Sequence, residues 1–89
     1  MAICYLANVA GKVQGVYFRA SCQQKAIDLH LSGYAKNLAD GDVQVLMCGE
    51  EGNVKKMLDW LEEGPSQAEV ASVQHNQVDY QTFNHFSIG

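Results

Sequence analysis

Three observations in the 89-residue sequence predict an α+β fold built on one small sheet. Short segments alternate apolar and polar residues as strands do, and two longer ones repeat apolar residues at helical spacing. The two kinds follow one another in the order strand, helix, strand, strand, helix, strand. A pair of strand-helix-strand units in this order packs as a four-stranded antiparallel sheet with both helices on one face, the ferredoxin-like βαββαβ sandwich. A short additional strand is expected at the C-terminal end.

Residues 3–10 form the first strand, with Ile3, Tyr5, Ala7 and Val9 on one face. Over residues 18–31, Phe18, Cys22, Ala26 and Leu29 recur at steps of four, four and three, the stripe of an amphipathic helix. Gly33 then stands where a helix C-terminal glycine belongs. Residues 34–38 and 43–48 flank Asp40-Gly41, a strong hairpin signal. Val54, Met57, Leu58 and Leu61 mark a second helix, stopped by Gly64-Pro65, with Met57 as core and Trp60 at the core edge. Residues 68–74 read as extended, and Val70 and Val73 break strict alternation, which predicts a bulge or irregular edge. Phe86-Ser87-Ile88 alternates again and supplies the closing strand.

In this layout the first strand lies beside the third, and the start of one meets the end of the other. Cys4 and Cys48 therefore come close, on the face opposite the core sets Ile3, Tyr5, Ala7, Val9 and Val43, Val45, Met47. Facing Cα atoms in antiparallel strands lie roughly 4.5–5.5 Å apart, within reach of a disulfide. A reducing cytosol favours two free thiols instead. With Cys22 the cysteines number three, without a CxxC pair, so neither a disulfide framework nor a thiolate metal site is indicated. His30, His75 and His85 show no ligand spacing with them, and no metal or other cofactor is expected.

The length fits one domain, residues 1–89, and hydrophobic and charged contents of 47% and 18% fit a globular protein. No apolar run is long enough to span a bilayer, the N-terminus lacks a signal-peptide layout, and a cytoplasmic monomer is the expectation. A net charge of −4 and a pI near 5.1 argue against polyanion or anionic-membrane binding. Glu50, Glu51, Glu62 and Glu63 flank the second helix, whereas Lys12, Arg19 and Lys36 sit in or near the segments that carry the candidate site. That distribution predicts a locally positive pocket suited to a small anion.

The segment most suited to hold an anion runs Gly11-Lys12-Val13-Gln14-Gly15-Val16-Tyr17-Phe18-Arg19, from the first strand into the first helix, and ends in the only arginine of the chain. A strand-to-helix junction offers unpaired backbone N–H groups and the positive end of a helix dipole, and glycines admit close approach. Arg19 adds a planar charged fork matched to two phosphate oxygens, and in the first helical turn its side chain can return over the loop. The same glycines could serve only to turn the chain. No Gly-Lys-Ser/Thr follows the second glycine, which excludes a nucleotide P-loop, and no third glycine falls in register for a dinucleotide fingerprint.

This segment, together with Gly33-Tyr34-Ala35-Lys36-Asn37, the following Asp40-Gly41, Cys48-Gly49 and Phe86-Ser87-Ile88, resembles the acylphosphatases, ferredoxin-like enzymes that hydrolyse the carboxyl-phosphate bond of acyl phosphates. The resemblance implies that Arg19 and the backbone amides of about Lys12, Val13, Gln14, Gly15 and Val16 bind the phosphate, and that Asn37 orients the attacking water. Such a reaction needs oriented water and charge stabilisation rather than a protein nucleophile. Lys12 stands where the family commonly has arginine, and Ala35 replaces a larger apolar residue. Tyr17 occupies a variable position, either narrowing the pocket mouth or packing on the helix. A catalytically silent ferredoxin-like module for a small ligand or RNA is the alternative. RNA would require stacking aromatics and a basic face, and Tyr5 is the only aromatic on the first and third strands.

Overall fold

A computed structural model of the chain describes residues 1–15 and 17–88. Its elements are β1 (Ala2–Lys12), α1 (Phe18–Asp28), β2 (Ser32–Asn37), β3 (Val43–Glu50), α2 (Glu51–Glu63), β4 (Glu69–Val78) and β5 (Phe86–Ile88). The sheet runs β4-β1-β3-β2-β5. β1 is antiparallel to β3 and β4, and β2 to β3, while the short β5 adds in parallel on the outer edge of β2.

Alternation along the strands sorts residues between two faces. Ile3, Ala7 and Val9 of β1, Val43, Val45 and Met47 of β3, and Ala35 of β2 meet Phe18, Cys22 and Ala26 of α1 and Val54, Met57, Leu58 and Leu61 of α2 in one buried core. Both helices thus cover the same face of the sheet. Burying a side chain the size of Phe18, Met57 or Leu61 stabilises the fold by about 1.5–3 kcal/mol. Trp60 packs at the edge of this core, as its spacing predicts.

The opposite face carries a smaller cluster of Cys4, Leu46 and Cys48, against which Leu6, Tyr34, Val78 and Phe83 pack. Cys4 faces Cys48 across β1 and β3 with 4.1 Å between their Cα atoms, and the two form a disulfide. The juxtaposition follows from register; the free-thiol expectation does not hold. Residues 79–85 run beneath this face, and the backbone N–H of Gln81 lies 3.2 Å from the Cys4 sulfur.

The first helix is shorter than its apolar stripe suggests. It ends at Asp28 in a Schellman turn, with the N–H groups of His30 and Leu31 donating to the carbonyls of Ile27 and Ala26. His30, at φ 57°, takes the left-handed position that Gly33 was expected to fill. Gly33 is instead inside β2, where a Cβ would strike the backbone of Leu46. The second helix ends as expected, at Gly64.

β4 continues to Val78, beyond its predicted end at residue 74, because its backbone pairs with β1 as far as Cys4. The irregular spacing of Val70 and Val73 is a bulge. Ala10 pairs with Ser72 and Gly11 with Val70, leaving Ala71 as the extra residue. Gly11 makes this possible: its φ is 127°, and a Cβ there would collide with the Glu69 carbonyl oxygen. The bulge lies where β1 gives way to the glycine-bracketed loop, so it fixes the loop's point of departure.

Candidate active site

The loop that leaves β1 enters α1 at Tyr17, the residue that caps the helix with φ 60° and ψ 23°. No side chain caps the N-terminus of α1. The first amides of an α-helix have no intrahelical acceptor, so this end of α1 is suited to an anion. Arg19 is the second residue of this helix, half-buried, and its position in the first turn matches the sequence expectation.

Asn37 is the last residue of β2 and pairs with Val43 at the start of β3. It shares the parity of Ala35, which is buried under the helices, so it projects on the helix-covered face just past the core. There it meets the loop. Val13, Gly15, Tyr17, Arg19, Asn37 and Ile88 line one cavity of about 440 Å³. Val13 and the adjoining Phe18 give it a buried apolar floor.

Gln14 explains how the two halves are held together. Its side-chain amide donates to the carbonyl oxygens of Leu38 at 2.9 Å and Asp42 at 3.0 Å, the turn that joins β2 to β3. That turn is itself closed by the Leu38 N–H on the Asp42 carbonyl, at 2.8 Å, and by the Asp42 N–H on the Asp40 carboxylate, at 3.0 Å. The loop and the residue after Asn37 are thus one connected unit.

Not every predicted site residue joins this group. Lys12 is exposed at the end of β1, opposite Glu69, outside the cavity lining. The Gln14 side chain points to the hairpin rather than into the cavity. Val16 lies outside the described residues. Lys36, counted in the positive pocket from its place in the sequence, is turned by strand alternation to the other face, where its Nζ sits 5.5 Å from the centre of the Tyr34 ring. Among the described lining residues Arg19 is the one with a positive charge. Tyr17 does not pack on the helix: it is 81% exposed at the cavity edge.

Ile88 and Ala20 are lining residues that sequence reasoning missed, and Ile88 comes from far along the chain. β5 pairs in parallel with β2, Ile88 opposite Ala35, and this places it on the same face as Asn37. The alternation of Phe86-Ser87-Ile88 signalled a strand, but no local pattern told which edge it would join.

Cys22, one turn along α1 from Arg19, is fully buried in the core, and burial pushes its thiol up to about 12. A thiol so desolvated is not a nucleophile near neutral pH. The disulfide lies toward the other end of the sheet, since Cys48 pairs with Ser32, at the start of β2. The described residues contain no group of three or more His, Cys, Asp or Glu side chains placed to hold a metal ion. No helix of the described residues is long and apolar enough to cross a membrane.

The acylphosphatase family profile matches residues 5–88. A curated acylphosphatase of Colwellia psychrerythraea is 60% identical over 89 residues, the whole length of both chains. The solved acylphosphatase of Coxiella burnetii superposes with a TM-score of 0.95 at 40% identity, covering 99% of this chain and 93% of its own. That of Bacillus subtilis gives 0.93 at 30% identity, over 100% and 99%. With family profile, fold and near-complete coverage in agreement, this chain belongs to the acylphosphatase family.

Proposed function

We propose that the cavity between the β1–α1 loop and the end of β2 hydrolyses acyl phosphates, with Arg19 and the loop amides holding the phosphoryl group and Asn37 orienting water. The observation that carries this reading is the convergence of Arg19, Gly15 and Asn37, from a helix, a loop and a strand, on one cavity. The amides concerned are those of Lys12, Val13, Gln14, Gly15 and Val16, following the family pattern.

The chemistry asks little else of the protein. Water attacks phosphorus, the bond from phosphorus to the acyl oxygen breaks, and the carboxylate departs with that electron pair. The carboxylate is already a good leaving group and needs no proton. Asn37 can accept a hydrogen bond from water or donate one to it, but cannot deprotonate it, so the proton passes to an oxygen of the phosphoryl group. Charge on the equatorial oxygens in the transition state faces the guanidinium and the amides, which are fixed before the reaction begins. The proposal is of a unit spanning residues 1–89, acting as a cytoplasmic monomer without nucleic acid, metal or other cofactor.

The test is release of inorganic phosphate from acetyl or benzoyl phosphate in the presence of a chelator. Wild-type protein releases it at an unchanged rate with chelator present, and Arg19→Gln loses at least about 10²–10³ in turnover. An Arg19→Gln rate within tenfold of wild type removes Arg19 from the mechanism. A wild-type protein that binds an acyl phosphate without cleaving it points to the silent ferredoxin-like module.

A further inference from the structure

The cavity has apolar walls that phosphate binding does not use. Tyr17 and Ile88 are 81% and 42% exposed, two of the large apolar side chains that the fold leaves in solvent, and both border the cavity that holds Arg19 and Asn37. They come from opposite ends of the chain. Tyr17 stands at the entry to α1, and Ile88 reaches the site because β5 lies against β2 with Ile88 opposite Ala35, on the face that carries Asn37.

Tyr17 is also held in a conformation uncommon for its side chain. At φ 60° and ψ 23° it is left-handed, a region in which a bulky side chain is strained and which glycine or asparagine would occupy more easily. Burial does not offset that strain, because the ring lies in solvent. An aromatic face kept exposed at the rim of an apolar-floored cavity fits a ligand that covers it.

Resting on the acyl-phosphate reading above, we infer that Tyr17 and Ile88 form an acyl-group wall, so that this site prefers acyl phosphates with an aromatic acyl group over acetyl or carbamoyl phosphate. With the phosphoryl group at Arg19 and Asn37, the acyl part extends toward the rim. There a flat ring stacks on Tyr17 and packs against the Ile88 side chain. An acetyl or carbamoyl group is too small to cover either.

The experiment compares kcat/KM for benzoyl and acetyl phosphate, whose leaving carboxylates have similar basicity, so that their ratio within each protein reads contact with the acyl group. Wild-type protein favours benzoyl phosphate by about tenfold or more, the effect of one good aromatic contact. Tyr17→Asn removes the ring while keeping a residue at ease in the left-handed region, and lowers the ratio by about tenfold. Ile88→Ser lowers it by about threefold, and Tyr17→Phe, which retains the ring, restores the wild-type ratio. Circular dichroism of each variant checks that it is folded. A wild-type ratio near one, or a ratio that Tyr17→Asn and Ile88→Ser leave unchanged, overturns the acyl wall while phosphate release still stands. Release from neither acyl phosphate overturns the acyl-phosphate reading itself and the wall with it.

Discussion

The side-chain amide of Gln14 lies 2.9 Å from the carbonyl oxygen of Leu38, and this bond fastens the glycine-bracketed loop to the residue directly after Asn37. A second bond to Asp42, at 3.0 Å, makes the attachment two-pronged. The proposed catalysis by positioning requires the loop amides and Asn37 to keep one spacing, and a misplacement of about 1 Å can cost about 10²-fold. Gln14→Leu keeps the bulk and removes both donors. It is expected to lower stability by about 1–3 kcal/mol, as two hydrogen bonds are lost while each carbonyl keeps its backbone donor, Gly41 N–H on Leu38 and Leu38 N–H on Asp42. It should also lower kcat by more than it raises KM. Urea unfolding and steady-state phosphate release measure the two effects. A stability loss with kcat intact would reduce Gln14 to a structural clamp.

Asn37 allows a sharper distinction, between orienting water and deprotonating it. Asn37→Asp supplies a base of nearly the same shape in the same place. If the role were that of a base, this variant would retain or gain activity. The orienting role predicts a loss of about 10² or more, at least as large as for Asn37→Ala, because a carboxylate cannot donate a hydrogen bond and repels the phosphoryl oxygens beside it. The pH-rate profile of phosphate release adds a second readout. Activity of Asn37→Asp that rises as its carboxylate ionises would count against orientation.

Of the residues proposed to act, Arg19 was legible in a local pattern, since it follows a glycine-bracketed junction. Asn37, near a strand end where asparagine is ordinary turn chemistry, was singled out only by its match to the family motif. Long-range placement was less accessible. The position of Ile88 depends on which sheet edge a three-residue strand joins, and no nearby residue decides that. Lys36 was misassigned although its parity was readable: charge near the site in sequence was counted without asking which face of β2 it occupied. The helix end was misplaced because His30, not glycine, takes the left-handed turn. Pairing of Cys4 with Cys48 followed from register, whereas their oxidation depends on redox conditions that register does not encode.

The Cys4–Cys48 bridge should govern stability and leave turnover alone. It joins residues 44 apart, for which chain-entropy arguments give about 4 kcal/mol. Ser32, the partner of Cys48 across β2, is five residues from Asn37, roughly 17 Å along an extended strand. Reductant, or the double change Cys4→Ala with Cys48→Ala, is therefore expected to lower the urea midpoint substantially while kcat/KM stays within about twofold, less than a contact in the site would change it. Mass shift on alkylation of unfolded protein should show one thiol without reductant and three with it. A midpoint indifferent to reductant, or three alkylated thiols without it, would remove the bridge from the working protein.

Cys22 predicts a specific loss of stability in alkaline solution. Burial under α1 raises its thiol from an ordinary 9.0 to about 12. Below pH 9 the thiol is protonated in both folded and unfolded chains, so titration costs nothing. As pH rises from about 9 toward 12, the unfolded chain ionises while the folded one cannot, and folding becomes less favourable. The slope approaches about 1.4 kcal/mol per pH unit inside this window. The quantity to measure is the difference between wild type and Cys22→Ala in urea unfolding at pH 8 to 11, which isolates the Cys22 contribution. Cys22→Ala starts lower, through the small cavity it leaves, and should lose less stability with rising pH, so that the two curves converge. Parallel curves across that range would show that Cys22 ionises as readily in the folded chain as in the unfolded one, and that α1 does not keep solvent from it.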